Sequence, residues 1–345
     1  MREKAASEKP SPCEAIFAGE AGSPRGVYTR ILITGVKGFA GSHLAHLLAG
    51  EENAAELYGS SRPSKKHVVL EPDSRTKLLE CDVMDRVAVE KTLEKVHPDI
   101  VFHSAAFVSV ARSFETPVAV FETNTIGTMN ILEGVKKICK DAIVLLPGSA
   151  EVYGHVDQTD MPIKESQALN PRNPYGLSKA CQEMIGQCYS NLSGLKIYFT
   201  RTFHYTGPGQ PTGFVCSDFA KQIVDIERGL ISPILRVGNL KARRDFLDIR
   251  DVVRSYWEIV RQGRPGVVYN VCRGSSVAIE DVLTRLIGMS SVRISVEVDS
   301  SKLRPIDVPD FVGDNTRLRH DTHWTPQISL DSSLCDVLDF WRAQG

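Results

Sequence analysis

The sequence predicts an α/β protein: a mostly parallel sheet with helices on both faces, followed by a smaller C-terminal substrate-binding lobe. Short apolar runs recur up to about residue 200, helical patterns sit between several of them, and a glycine cluster follows the first run. Strands that alternate with helices are joined by crossovers, and crossovers place a helix layer on each face of a parallel sheet.

Residues 1–29 hold Pro, Gly, Ser and alternating charges without periodicity, which reads as a flexible extension. The first strand is the run Ile31, Leu32, Ile33, ending at Thr34. Gly35, Gly38 and Gly41 follow in G-x-x-G-x-x-G spacing, and then Leu44, Leu47 and Leu48 at helical spacing. Strand, tight turn and helix in this order make a Rossmann-like dinucleotide pattern. Gly35 permits the turn, Gly38 lets the backbone approach a diphosphate, and Gly41 lets helix and sheet pack closely. The helix N-terminus, at Phe39 and Ala40, offers N–H groups and a positive field to the anion.

Further strands are expected at Ala55–Tyr58, Lys77–Leu79, Ile100–Phe102, Ile143–Leu146 and Lys196–Thr200. Helices are expected over His43–Leu48, Val87–Val96 and Thr123–Lys137, with another beginning near Tyr175. Beyond Gly207-Pro-Gly-Gln-Pro211 the texture changes to mixed elements. The expected division is 1–29 as extension, 30–200 with 245–272 as the dinucleotide-binding domain, and 201–244 with 273–345 as the lobe.

Composition bounds the partners. Hydrophobic residues are 42%, and Lys+Arg 41 against Asp+Glu 42 leave a formal charge of -1, so no bulk field favours nucleic acid or an anionic membrane. No apolar run is long enough to span a bilayer, and no signal-peptide core is present. The 8 cysteines are scattered without a C-x-x-C pair, which reads as reduced thiols of a cytoplasmic protein, with no zinc or other metal framework.

Cofactor choice is read after the second strand. An NAD site commonly presents a carboxylate there to the adenosine ribose, but this chain has no acid until Glu71. Arg62 instead suits a 2′-phosphate, which makes NADP(H) the expected cofactor. Asp82 follows the third strand and suits the adenine amino group. The small residues Ala105 and Ala106 end the fourth strand and admit the cofactor backbone.

Chemistry is read from Tyr175 and Lys179, four apart on one helix face, and from Ser149 at a strand end. A ketone receiving hydride needs a proton at oxygen. Tyr175 supplies it, Lys179 favours the phenolate and holds the nicotinamide ribose, and Ser149 orients the carbonyl. Glu151 is a further candidate base.

These features, with the stretches Arg201–Gln210, Gly213–Glu227, Val237–Arg254 and Leu303–Pro309, resemble the extended short-chain dehydrogenase/reductase family, in its nucleotide-sugar branch. Within that branch the chain is similar to the GDP-6-deoxy-4-keto-D-mannose reductases, which form GDP-D-rhamnose, and next to the GDP-mannose 4,6-dehydratases. The resemblance implies that Val83 joins Asp82 at the adenine and that Asn124 braces the active site. It puts His204 in a slot usually filled by an asparagine that helps hold the substrate diphosphate. A nucleotide-sugar pocket should also converge arginines on that diphosphate; Arg244 and Arg304 are the choices, with Lys221 and Asn239 as further contacts. Asp245 and Asp248 also read as holding the chain where it returns to the sheet, and Trp257 and Trp341 as packing residues. Family likeness further implies a homodimer through the helices near Asn124 and Tyr175, with Ile131, Val135, Met184 and Ile185 either in a four-helix contact or buried within their own subunit. Dehydratases of the branch carry Thr-Asp-Glu or Thr-Ser-Glu where this chain has Ser149-Ala150-Glu151. That difference weighs against dehydration and leaves net reduction, or internal 4-epimerisation with a retained cofactor, as the expected reactions.

Overall fold

The computed structural model describes residues 30–50, 56–63, 70–300 and 308–344. Strand β1 (Arg30–Thr34) lies inside a seven-stranded sheet, flanked by β2 (Glu56–Ser61) and β4 (Ile100–His103). On one side β3 (Lys77–Glu80) forms the edge; on the other follow β5 (Ile143–Ser149), β6 (Lys196–Thr202) and β11 (Val268–Val271). Every neighbouring pair is parallel, in the order β11-β6-β5-β4-β1-β2-β3. The order reverses at β1, and ligands of open α/β sheets bind beyond the carboxyl ends at that place.

The apolar run of β1 is continuous because both faces are covered. Ile31 and Ile33 pack with Leu44, Leu47 and Leu48 of α1 (Phe39–Gly50) and with Val252, Tyr256 and Ile259 of α7 (Ile249–Gln262). Leu32 faces the opposite layer with Val89 and Leu93 of α2 (Arg86–Val96) and with Ile131, Leu132 and Val135 of α4 (Pro117–Ile138). Alternate side chains of a strand point to opposite faces, so one short run serves two cores. The same packing limits the anticipated subunit contact: Ile131 and Val135 are spent in their own core and Ile185 is partly buried against it, whereas Met184 is exposed.

Helix α3 (Val110–Glu115) precedes α4, and α5 (Pro174–Ser193) lies beside it. Pro174 takes the first helical position of α5, where no N–H is required, and the Asn173 side chain caps the end by accepting from Gly176 N–H at 2.7 Å. Gly194 ends the helix in the left-handed region, at φ 68°. The inward face of α5 is polar: Tyr175, Ser178, Lys179, Gln182 and Glu183 are all buried. Glu183 is paired there with Arg201 of β6 through two bonds, 2.7 and 2.9 Å long, with both side chains under a tenth exposed. Removing one partner of such a buried pair costs about 3–5 kcal/mol, because the other charge is stranded.

The C-terminal lobe is built from α6 (Val215–Glu227), α8 (Ile279–Gly288) and α10 (Leu330–Ala343) around their own apolar cluster. Three small ladders flank it: β7 (His204–Thr206) with β10 (Phe246–Asp248), β8 (Ile234–Val237) with β13 (Ser295–Val298), and β9 (Arg243–Arg244) with β12 (Val277–Ala278). Helix α9 (Thr316–Thr322) packs back on the β1 side of the sheet through Leu318. Asp245 and Asp248 do hold the returning chain. Asp245 accepts from Arg273, Gly274 and Gly313 N–H, and Asp248 grips Arg250 at 2.8 Å. Trp341 packs against the lobe cluster and Trp257 against the β1 core.

Each strand and helix anticipated from the sequence is present, usually with longer ends. The second strand begins at Glu56 among the described residues, and Ala55 lies outside them.

Candidate active site

Parallel strands bring their carboxyl ends to one edge, and the candidate residues collect there. Gly35 has φ +68°, and a side-chain carbon on it would lie 2.7 Å from the Ala105 backbone. The turn therefore rests directly on the end of β4. A carbon on Gly41 would lie 2.4 Å from the Gly35 carbonyl oxygen, so glycine there lets α1 start against the turn. Gly38 N–H donates to that same oxygen at 2.9 Å. Phe39 and Ala40 form the first turn of α1, whose leading N–H groups lack acceptors within the helix. A tight glycine turn with free helix N–H groups at its open end fits a dinucleotide diphosphate.

Arg62 is exposed and immediately follows β2, whose Ser60 is opposite Thr34 of β1. Asp82 and Val83 form the turn ahead of α2. Asp82 accepts from Met84 N–H at 3.0 Å, and buried Val83 fills the space above Gly127 of α4. Asn124 is fully buried and clamps three places at once. Its oxygen accepts from Phe107 N–H (2.8 Å), and its amide donates to the Phe107 carbonyl (3.1 Å) and to Ser178 Oγ (2.8 Å). Ala105 and Ala106 begin the loop that this clamp fixes between β4 and α3.

Ser149 ends β5, where its Oγ accepts from Glu151 N–H at 3.2 Å, and Tyr175 opens α5. Lys179, one turn along α5, donates to the Pro147 carbonyl (2.8 Å) and to Gln182 Oε1 (2.7 Å). Burial pulls its ammonium down to about 7 and pushes the Tyr175 phenol well above the usual tyrosine range. Sequence reasoning had Lys179 favouring the phenolate. In the structure burial dominates, Ser149 is the neighbour that favours phenolate, and Lys179 is turned to two carbonyl-type oxygens instead. Glu151 accepts from the capping Asn173 at 2.8 Å, and Ala150 is buried with Val152, Tyr153 and Phe203.

The lobe candidates are more dispersed. His204 stands between two aromatic rings, with centroids 6.0 Å from Phe246 and 6.1 Å from Phe311. Arg244 is buried on β9 and donates to the Arg243 and Val308 carbonyls. Lys221 is held by both oxygens of Asp225 at 2.6 Å, one turn along α6. Asn239 is exposed and accepts from Lys241 N–H at 3.0 Å. Arg304 lies outside the described residues. Nothing in the sequence pattern marked Thr34, Thr128, Asn173 or Gln182, because single polar residues on a helix or at a strand end carry no spacing signal.

A dinucleotide turn at the reversal point, beside a buried Ser-Tyr-Lys set, defines an NAD(P)-dependent oxidoreductase of the extended short-chain dehydrogenase/reductase type. A sequence-family model described as GDP-mannose 4,6 dehydratase matches residues 32–337, and the chain belongs to that family. The family's chemistry is NAD(P)-dependent modification of a nucleotide-linked sugar. The chain is 31% identical over 315 residues to a GDP-6-deoxy-D-mannose reductase of Pseudomonas aeruginosa, covering 91% of this chain and 98% of that protein. Among solved structures it is similar to RMD from Pseudomonas aeruginosa complexed with NADPH, with TM-score 0.80, 29% identity, and coverage of 92% of this chain and 100% of that one. It is also similar to the UDP-glucose 4-epimerase of Thermus thermophilus in complex with NAD, with TM-score 0.81, 25% identity and the same coverage. Among the described residues no helix is long and apolar enough to cross a membrane.

His103 gives the site a pH signature. It is fully buried, and burial together with the Lys179 charge lowers it from 6.5 to about 3. The unfolded chain therefore takes up a proton that the folded chain refuses between these values. The resulting stability is complete above about pH 6.5 and is lost as pH falls toward 3. We expect the urea midpoint of His103→Gln to fall less steeply between pH 6.5 and 4 than that of the parent; equal slopes would show that His103 is not the group responsible.

Proposed function

We propose that the protein is an NADPH-dependent reductase of the 4-keto group of a nucleotide-linked 6-deoxyhexose, converting GDP-4-dehydro-6-deoxy-D-mannose to GDP-D-rhamnose. The observation that carries this reading is Ala150. Removing water from a hexose needs a base at one carbon and an acid at the departing hydroxyl. The position between Ser149 and Glu151 holds a methyl group, 2% exposed and packed among apolar neighbours. Reduction needs only a hydride and one proton, for which the remaining residues suffice. The likeness to a GDP-6-deoxy-D-mannose reductase supports the same choice.

Bound NADPH supplies the hydride that reaches C4. Tyr175 gives its phenolic proton to the C4 oxygen, and the upward shift of that phenol keeps the proton in place until the oxygen becomes basic. Ser149 orients the carbonyl oxygen and shares its developing charge. Lys179 holds the nicotinamide ribose. Arg244 with Arg304 takes the substrate diphosphate, while His204, Lys221 and Asn239 border the nucleotide. Internal 4-epimerisation is the second reading, favoured by the Ser149-Ala150 pair and by the likeness to an epimerase structure.

Arg62 supports NADPH over NADH, since an exposed guanidinium directly after β2 suits a 2′-phosphate. A homodimer belongs to the same proposal. Val118, Phe121, Ile126 and Met129 of α4 and Leu177 and Met184 of α5 are exposed apolar residues on two helices packed side by side, and Met184 is 61% exposed. An apolar surface of that kind marks an interaction site.

We expect GDP-4-dehydro-6-deoxy-D-mannose with NADPH to give stoichiometric loss of NADPH and a GDP-6-deoxyhexose, and GDP-mannose to give no keto product. Dehydration of GDP-mannose, or interconversion of two sugar nucleotides without net NADPH loss, contradicts the assignment.

Replacing Arg62 by Ala should raise the KM for NADPH at least tenfold and leave that for NADH nearly unchanged, in line with the loss of a charged hydrogen bond. Equal effects on both cofactors would remove Arg62 from the 2′-phosphate.

In sedimentation the parent should be a dimer at micromolar concentration, and Met184→Glu a folded monomer. A monomeric parent, or a variant that stays dimeric, would move the interface elsewhere.

A further inference from the structure

Gln182 lies one helical turn beyond Lys179 and is 1% exposed. Its Oε1 accepts from the Lys179 ammonium at 2.7 Å, and its Nε2–H donates to Thr128 Oγ1 at 3.2 Å. Hydrogen-bond directions along this chain are forced. Thr128 spends its own proton on the Asn124 carbonyl at 2.8 Å, so its oxygen accepts from both Gln182 and His103 Nε2, the latter at 3.1 Å. Neutral His103 is then the Nε2–H tautomer, and its Nδ1 accepts from Thr34 Oγ1 at 2.9 Å. Thr34 in turn accepts the Ala105 N–H at 3.2 Å, at the floor of the glycine turn. Flipping the Gln182 amide would set an NH2 group against the ammonium and the amide oxygen against Thr128 Oγ1, whose proton is already spent on Asn124. Only one orientation satisfies every member.

We infer that Gln182 is a positioning residue for the reaction, sharing the Lys179 ammonium with the Pro147 carbonyl so that two of its three N–H groups are committed and one remains for a bound dinucleotide. The inference rests on the reading of Lys179 as the residue that holds the nicotinamide ribose. Through Thr128, His103 and Thr34 the same amide ties the lysine to Ala105, so both ends of the cofactor groove share one hydrogen-bonded frame.

Charge at Lys179 is also in the hands of this amide. The titratable groups about it are His103 on β4, held neutral by burial, and Tyr175 on its own helix, held protonated. Glu183, also on α5, is spent on Arg201 of β6, and Glu151 after β5 accepts from Asn173. Among the described residues no carboxylate bonds the ammonium, and burial has already brought it down to about 7. An oxygen lost from its surroundings favours the neutral amine, and a carboxylate gained favours the ammonium.

Gln182→Met and Gln182→Glu separate aim and charge from mere packing. NADPH affinity, read by cofactor fluorescence from pH 6 to 9, should weaken in the parent as Lys179 loses its proton. In Gln182→Met that midpoint should move down by about one pH unit, the scale of one hydrogen bond to a charged group. In Gln182→Glu it should move up by about as much, although glutamate cannot serve Thr128. A purely structural role would weaken both variants without moving their midpoints in opposite directions. Unchanged midpoints, or shifts of one sign, overturn the inference, and Gln182→Glu decides alone if Gln182→Met does not fold. Lys179→Met distinguishes the underlying reading: it should abolish the pH dependence, whereas a parent-like midpoint would show that Lys179 does not hold the dinucleotide at all.

Discussion

Helix α5 buries a polar face, and that constraint fixes much of what surrounds it. A helix against a sheet usually buries an apolar stripe; this one presents Tyr175, Ser178, Lys179, Gln182 and Glu183 inward. Each buried polar group left unpaired would cost about 1–3 kcal/mol, and a stranded charge more. Partners must therefore stand at set positions on three other elements: Asn124 and Thr128 on α4, the Pro147 carbonyl on β5, and Arg201 on β6. Arg201 itself is satisfied only because Tyr153 and the Glu165 carbonyl meet it from the other side. Holding the catalytic candidates and holding the helix to the sheet are thus the same set of bonds.

The glycine turn imposes the second constraint, and it reaches into the lobe. With Gly35 seated on Ala105, the start of α1 is fixed beyond the end of the sheet, and Phe39 stacks on Tyr205 of β7 with centroids 5.9 Å apart. His43, one turn along α1, bonds the Pro208 carbonyl at 2.8 Å while burial holds it neutral, near pKa 4. The helix that would receive a diphosphate therefore also supports the loop opening the C-terminal lobe. Cofactor groove and lobe are joined by an aromatic stack and a hydrogen bond, which fixes the lobe's first strand against the end of the sheet.

The fold was legible because its signals are local and periodic. Ile31–Ile33 followed by Gly35, Gly38 and Gly41 states a strand, a turn and a helix within a dozen residues, and both faces of β1 behave as a continuous apolar run demands. Tyr175 and Lys179 were legible for the same reason, through their spacing on one helix. What stayed hidden has partners far away in sequence. Gln182 also reaches Thr128, 54 residues earlier, and Asn173 also reaches Glu151, 22 residues earlier. The elements of the lobe escaped a detailed reading because its ladders are two to four residues long, too short for alternation to register. Ile131 and Val135 show an ambiguity that the structure resolves toward the core. An apolar residue on a helix reads as contact surface or as core with equal ease until the sheet behind it is known.

His204 shows how one departure from a family pattern spreads into packing. It continues β6 into β7, where its backbone pairs with Phe246, and its ring stands edge-on to both Phe246 and Phe311. Phe311 in turn belongs to the cluster of Ala150, Val152, Tyr153 and Phe203 that lies under the Ser149 turn. An asparagine in the same place would offer an amide for hydrogen bonding but no ring for Phe311 to pack against. The imidazole is therefore part of the apolar wall between the lobe and the catalytic turn, and Ala150 is part of the same wall from the other side. His204 and Ala150, the two positions at which the resemblance leads one to expect other residues, thus meet through one cluster.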